Sequence, residues 1–240
     1  MEENLKVPVH ISIIMDGNGR WAQMHGKERT YGHIAGVESV RICVEAAAEE
    51  GVKYLSLFAF SEENWQRPES EVSALMELML TSMAKEAAGM MQNGVRFIVL
   101  GNRSRLSGKI NAAVDQLMEA SRHNDRVTMI IFLSYSGKWD ILQAAKKLAA
   151  EMVEHPEKRE QLENIGVDEF SQYLITAGIP DPDLVIRTSG EKRISNFLLW
   201  QLAYSELLSV DTLWPDFGKT EFHQAIVEYS KRDRRYGKLK

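Results

Sequence analysis

The chain has 240 residues, with 29 Lys plus Arg against 34 Asp plus Glu, a formal charge of −5, and 44% apolar residues. A chain of this size removes roughly 70 to 75% of its unfolded surface from water, so it needs no disulfide staple, and its single cysteine, Cys43, excludes both an intrachain disulfide and a CxxC metal site. The longest apolar run, residues 129–133, is far short of the roughly 20 residues that cross a bilayer. The acidic start, MEENLKVPVHISII, lacks a signal-peptide layout, and the expected address is cytoplasmic. An acidic chain also disfavours nucleic acid as a partner. The segment 231–240 departs from the average, with six basic residues and one acid. It reads either as a solvated tail or as a contact with a membrane surface.

In chain order, short β-branched runs at 9–15, 54–60, 95–100, 127–133 and 184–186 read as buried strands. Segments of helical period alternate with them at 33–50, 69–92, 104–123, 137–153, 168–177 and 220–233. Pro68, Asp168 and Thr220 stand at helix starts, and Gly51, Gly94 and Gly178 follow helix ends. This alternation predicts one α/β domain over 1–240, with a mostly parallel sheet of about six strands flanked by helices. In such sheets ligands gather beyond the carboxyl ends of the strands.

The first strand runs into Asp16, Gly17, Asn18, Gly19, Arg20 and Trp21. Two glycines permit a tight turn with exposed N–H groups, which with Arg20 suit a diphosphate. Asp16 would repel that anion unless a hard cation such as Mg²⁺ lay between them. As a plain structural reading, Asp-Gly is a common turn pair. Gly17, Gly19 and Ala22 also match a dinucleotide fingerprint with Glu38 as the ribose acid, which keeps an NAD(P)-dependent oxidoreductase as an alternative. Walker A fails at Gly108-Lys109 and at Gly218-Lys219, because Arg103 and Leu213 replace the first glycine.

The second strand leads into Ser61, Glu62, Glu63, Asn64, Trp65, Gln66 and Arg67, a polar floor beside an indole. A late loop carries Arg187, Arg193 and Ser195 and suits a second diphosphate. Arg29 and His33 follow the glycine turn. Val72, Leu75, Met76, Met79, Leu80 and Met83 recur at helical spacing and read either as plain core or as the wall of an apolar tunnel.

HISIIMDGNGRWA, RTYGHIAG, LFAFSEENWQRP with EVSALMELM, DLVIRTSGEKRISNFLLWQLAYSEL and LWPDF together resemble the cis-prenyltransferases, most closely the bacterial undecaprenyl diphosphate synthases. The resemblance runs from His10 to Phe217. It implies head-to-tail condensation of isopentenyl diphosphate with an allylic diphosphate, farnesyl diphosphate above all, into a long cis-polyprenyl diphosphate for cell-wall carrier lipid. It further implies Asp16 as the Mg²⁺ residue most needed for turnover, with Glu206 as a second metal-site acid, and Asn64 as catalytic. Gly17, Asn18, Gly19, Arg20, Trp21, Arg29 and His33 would cradle the allylic diphosphate. Ser61, Glu62, Glu63, Trp65 and Arg67 would lie between the substrates, and Arg187, Arg193 and Ser195 would hold isopentenyl diphosphate. A homodimer that delivers its product to the membrane is implied too. A non-catalytic partner subunit of the same family is a further alternative, opposed by the presence of the whole set. The family's Asn-Tyr-Gly-Gly stretch is replaced here by Ser134, Tyr135, Ser136 and Gly137, which leaves the hydrogen bonding at that strand end open.

Overall fold

The computed structural model describes residues 5–233; the basic segment 234–240 lies outside the described residues. Six strands form one sheet: β1 (His10–Ile14), β2 (Tyr54–Ser61), β3 (Val95–Leu100), β4 (Val127–Tyr135), β5 (Leu184–Arg187) and β6 (Glu206–Ser209). Their spatial order is β3-β4-β2-β1-β5-β6, and every neighbouring pair is parallel. All residues of β1 and β5 are buried, which explains why apolar residues stand at successive positions, Ile13–Ile14 and Leu184–Ile186, instead of in strict alternation. The sixth strand was not located in the sequence. Its four residues, Glu-Leu-Leu-Ser, end a longer apolar stretch and sit at the sheet edge.

The helices are α1 (Asn18–Met24), α2 (Arg29–Glu50), α3 (Glu69–Gln92), α4 (Gly108–Ala120), α5 (Gly137–Glu154), α6 (Val167–Ser171) and α7 (Lys219–Ser230). Four depart from expectation, the first being α4, which begins four residues after the expected 104, past a 3-10 turn at Arg103–Arg105, and ends three before 123. α2 starts four residues before the expected 33, and α1 is new, because the glycines that open it read as loop. α6 is one turn long where a helix over 168–177 was expected, since the chain passes into turns after Ser171.

The glycine turn owes its form to two constraints. Gly17 has φ 103°, a left-handed conformation that L side chains rarely adopt. Gly32 on α2 lies so close to α1 that a Cβ there would sit 1.9 Å from the Asn18 carbonyl oxygen. The close approach of α1 and α2 thereby holds the turn against the end of β1.

One face of the sheet packs Ile11, Ile13, Leu55 and Leu57 against Cys43, Val44 and Ala47 of α2 and against Phe222 and Ile226 of α7. On the other flank Val72 and Met76 of α3 join Phe60, Val99, Ile110, Val114 and Leu133. The apolar stripe of α3 therefore divides. Val72 and Met76 are core, whereas Leu75, Met79 and Met83 line a cavity. Among the described residues no helix is long and apolar enough to cross a membrane.

Candidate active site

Parallel register brings the ends of β1 and β5 side by side, with Ile14 opposite both Phe58 and Arg187. Asp16 leaves the sheet two residues later. Its backbone N–H donates to Thr188 Oγ1 at 2.8 Å, and that hydroxyl donates to the Asp16 carbonyl oxygen at 2.6 Å. The carboxylate is 30% exposed. Its Oδ1 accepts from the Gly17 N–H at 2.7 Å, and its Oδ2 accepts from Arg187 Nη2 at 2.7 Å.

Arg187 is nearly buried and donates through Nη1 to Ser195 Oγ at 2.7 Å and to the Arg193 carbonyl oxygen. Among the described residues its Nε–H has no partner. A buried cationic donor left unpaired is costly and marks a place prepared for an acceptor. Ser189 and Ser195 both hold left-handed backbone, at φ 73° and 48°, and such strain concentrates at functional turns. Glu191 draws the mobile-length side chains of Arg20 and Arg193 together, and Arg20 also donates to Ser189 Oγ.

On the α1–α2 side, the Arg29 guanidinium lies where a Cβ on Gly19 would meet it at 2.8 Å. Asn18 donates to the Met15 carbonyl oxygen at 3.1 Å, and its own buried Oδ1 has no partner among the described residues. Burial pushes the His33 pKa down to about 4, and the Arg67 and Arg29 charges push in the same direction. His33 is therefore neutral near pH 7. Trp21 is turned to the rim, donating to Asp216 Oδ1 at 2.7 Å and stacking with Tyr31.

From this mouth a cavity of about 790 Å³ runs between α2, α3 and the sheet. Asp16, Asn18, His33, Ser61, Glu63, Asn64, Arg67, Arg187, Arg193 and Ser195 line its polar end; Met79, Met83, Ala87, Met90, Phe97, Leu117 and Met129 line its apolar end. Two further lining residues, Asn196 and Trp214, escaped the sequence reading. Asn196 Nδ2 donates to Glu63 Oε1 at 2.7 Å, and the Trp214 indole donates to the Gly36 carbonyl oxygen at 2.9 Å. Neither residue type carries a chemical signature strong enough to be singled out in sequence.

Eight expected site residues are outside the cavity lining: Gly17, Gly19, Arg20, Trp21 and Arg29, which belong to the glycine turn and the α1–α2 side, and Glu62, Trp65 and Glu206. Glu62 and Trp65 bond Ser134 instead. Glu206 opens β6, in register with Leu184 and not with Arg187, and its Oε2 accepts from Arg232 Nη1 at 2.9 Å. Within one chain it is thus at the opposite end of the strands from Asp16. Glu38, the acid of the dinucleotide pattern, is engaged by Arg41 three residues on along α2 and is not among the residues that line the cavity.

Among the described residues no three His, Cys, Asp or Glu side chains cluster as a metal cage. One carboxylate beside anion-binding donors nevertheless fits a magnesium ion, which usually takes one or two carboxylates plus substrate phosphates. Asp16 is the residue that would hold it.

A family profile for prenyltransferases, described as undecaprenyl diphosphate synthase, matches residues 14–237. The isoprenyl transferase of Chlorobaculum tepidum is 50% identical over 99% of this chain and 90% of its own length. A Haemophilus ducreyi ditrans,polycis-undecaprenyl-diphosphate synthase, named as (2E,6E)-farnesyl-diphosphate specific, is 45% identical over 96% of this chain and 94% of its own. The crystal structure of lavandulyl diphosphate synthase from Lavandula x intermedia in complex with dimethylallyl diphosphate superposes with a TM-score of 0.92, at 33% identity, covering 97% of this chain and 99% of that one. With a matching profile along nearly its whole length and full-length relatives at this identity, the chain belongs to the prenyltransferase family of undecaprenyl diphosphate synthases.

Proposed function

We propose that the chain condenses isopentenyl diphosphate with an allylic diphosphate, farnesyl diphosphate being the natural primer, to give a long cis-polyprenyl diphosphate. The observation that carries this reading is the continuity of one cavity, whose mouth holds Asp16, Arg187 and Asn18 and whose interior is Met83, Met90, Phe97 and Leu117. A diphosphate attached to a hydrocarbon chain matches both ends at once. The dimethylallyl diphosphate in the lavandulyl diphosphate synthase complex is itself an allylic diphosphate.

Two anion seats follow from the chemistry. The Gly17–Gly19 turn with Arg29 and neutral His33 receives the allylic diphosphate, and Arg187, Arg193 and Ser195 receive isopentenyl diphosphate. Arg20 stands between them on Ser189. Departure of the allylic diphosphate develops negative charge, and preorganised N–H and guanidinium donors stabilise it. Magnesium, when bound at Asp16, would add charge neutralisation to the same end; the family generally uses a divalent metal. The Asp16–Arg187 pair holds the carboxylate at the shared ground between the seats.

Asn64 Oδ1 accepts from the Ser61 N–H at 3.1 Å, which leaves the amide NH₂ as its free face. Asn64 therefore acts by donating a hydrogen bond that places a substrate, and not as the base that takes the final proton. For Glu206 to join the metal it must come from a second copy of the chain, which accords with a homodimer. A product this apolar leaves for lipid, so the enzyme works on the cytoplasmic side at a membrane surface.

The deciding experiment is incubation with farnesyl diphosphate, labelled isopentenyl diphosphate and Mg²⁺, followed by sizing of the extracted product. Incorporation into a chain-lengthened lipid is expected. No incorporation, with tight NAD(P) binding in its place, would overturn the reading.

A further inference from the structure

Outside the cavity lining, four side chains close a ring at the carboxyl ends of β2 and β4. Ser134 Oγ donates to Glu62 Oε1 at 2.6 Å and accepts from the Trp65 indole at 2.8 Å. Glu62 Oε2 accepts from Arg105 Nη1 at 2.9 Å, and the Arg105 guanidinium lies over the Trp65 ring, 4.7 Å from its centroid. The ring ties three separate segments together: the end of β4, the 3-10 turn Glu62–Gln66 and the 3-10 turn Arg103–Arg105. Ser134 is fully buried and holds φ 53°, a left-handed backbone for a non-glycine residue. Its carbonyl oxygen accepts from the Asn102 N–H at 2.8 Å.

The period of a 3-10 helix is three residues, so side chains three apart eclipse. Glu62 and Trp65 fall on one edge and enter the ring. Asn64 falls on another and lines the cavity together with Glu63, and the extended caps Ser61 and Arg67 that enter and leave the turn line it too. Rotation of this short turn about its own axis therefore sets where Asn64 and Arg67 point, and the ring grips the edge that controls the rotation.

We propose that Arg105 is a positioning residue which, through Glu62 and Trp65, fixes that rotation and so aims Asn64 and Arg67 into the site. The proposal rests on the transferase reading for its catalytic consequence, but the grip itself is a property of the chain alone. Arg105 is 43% exposed, and ion pairs at such positions contribute little to global stability. Removing the guanidinium should free the turn without unfolding the protein.

The test uses the full chain with Arg105→Met, which keeps an apolar stem over the indole, and Glu62→Gln, which keeps a partner for Ser134. Amide hydrogen exchange across residues 61–67 is expected to quicken about tenfold in both while other segments are unchanged. In the transferase assay kcat should fall about tenfold or more with KM for each diphosphate within about threefold, because the interaction lost acts on placement and not on the diphosphate seats. Arg105→Lys, which restores the charge but not the stacked plane, should fall between Arg105→Met and the unmodified chain. Unchanged exchange in Arg105→Met overturns the grip. Faster exchange with unchanged kcat overturns the positioning role. An unmodified chain that makes no polyprenyl product refutes the transferase reading instead, a failure visible without any variant and separate from the exchange result.

Discussion

Asp16 Oδ2 and Arg187 Nη2 are 2.7 Å apart although 171 positions separate them in the chain. Parallel pairing of β1 with β5 makes this pair, and it sits where two diphosphates and a metal would meet. Removing the charge of Asp16 takes the metal seat and leaves Arg187 without its counter-ion. Asp16→Asn is expected to lower kcat by roughly 10²–10³-fold or more, with unchanged secondary structure by circular dichroism. An active Asp16→Asn variant would sink the metal role.

Gly32→Ala tests the close approach that holds the glycine turn. A Cβ at this position meets the Asn18 backbone at 1.9 Å, so α1 and α2 must separate. Overpacking of this kind costs about 1–3 kcal/mol. Both a lower denaturation midpoint and weaker farnesyl diphosphate binding by calorimetry are expected, since Asn18 belongs to the proposed seat.

Product length should respond to the apolar end of the cavity. Ala87 lines it and is 5% exposed, and a larger side chain there shortens the space for a growing chain. Ala87→Leu is expected to shift the products to shorter polyprenyl diphosphates while the rate of the first condensation stays near that of the unmodified protein. Chromatographic sizing together with single-turnover kinetics separates the two effects.

A long hydrocarbon held by Met83, Met90, Phe97 and Leu117 should leave slowly, because each buried methylene contributes about 0.8 kcal/mol. Rapid mixing is expected to give a burst of elongation followed by a slower steady state, and detergent or lipid should speed only the second phase. A trace without a burst would show that chemistry, not release, limits turnover.

Acid sensitivity follows from His10. It is buried, bonded to Ser56 and to the Pro180 carbonyl oxygen, and desolvation lowers its pKa from 6.5 to about 4. The unfolded chain then binds more protons than the folded one between those values, so stability is fully present above pH 6.5 and is lost as pH falls toward 4. Chemical denaturation at pH 7 and pH 5 should differ by on the order of 1 to 2 kcal/mol more in the unmodified protein than in His10→Gln.

Much of the architecture was legible in sequence because the signals are local. β1, β3 and β4 are rich in β-branched and aromatic residues, and α3 carries its Met and Leu residues at helical spacing behind Pro68. β6 and α1 were not legible. Four residues at a sheet edge and seven behind a glycine turn are too short for a period to emerge, and their conformation comes from neighbours such as β5 and α2. The same distinction divides the site. Asp16, Asn64 and Arg187 stand at strand ends or just beyond them, where chemistry is expected. Asn196 and Trp214 line the cavity only because distant segments fold against it.

By itself the sequence determined the family and the parallel α/β plan, since residue identity and short-range period decide these. Only the tertiary structure decided which charged groups share a site. It joined Asp16 to Arg187, set Glu206 at the far end of the strands, and turned Glu62 and Trp65 to Ser134 and Arg105. Hydrogen bonds and ion pairs act over a few ångströms in space, whatever the number of residues between their partners, and strand register is what brings such groups within reach.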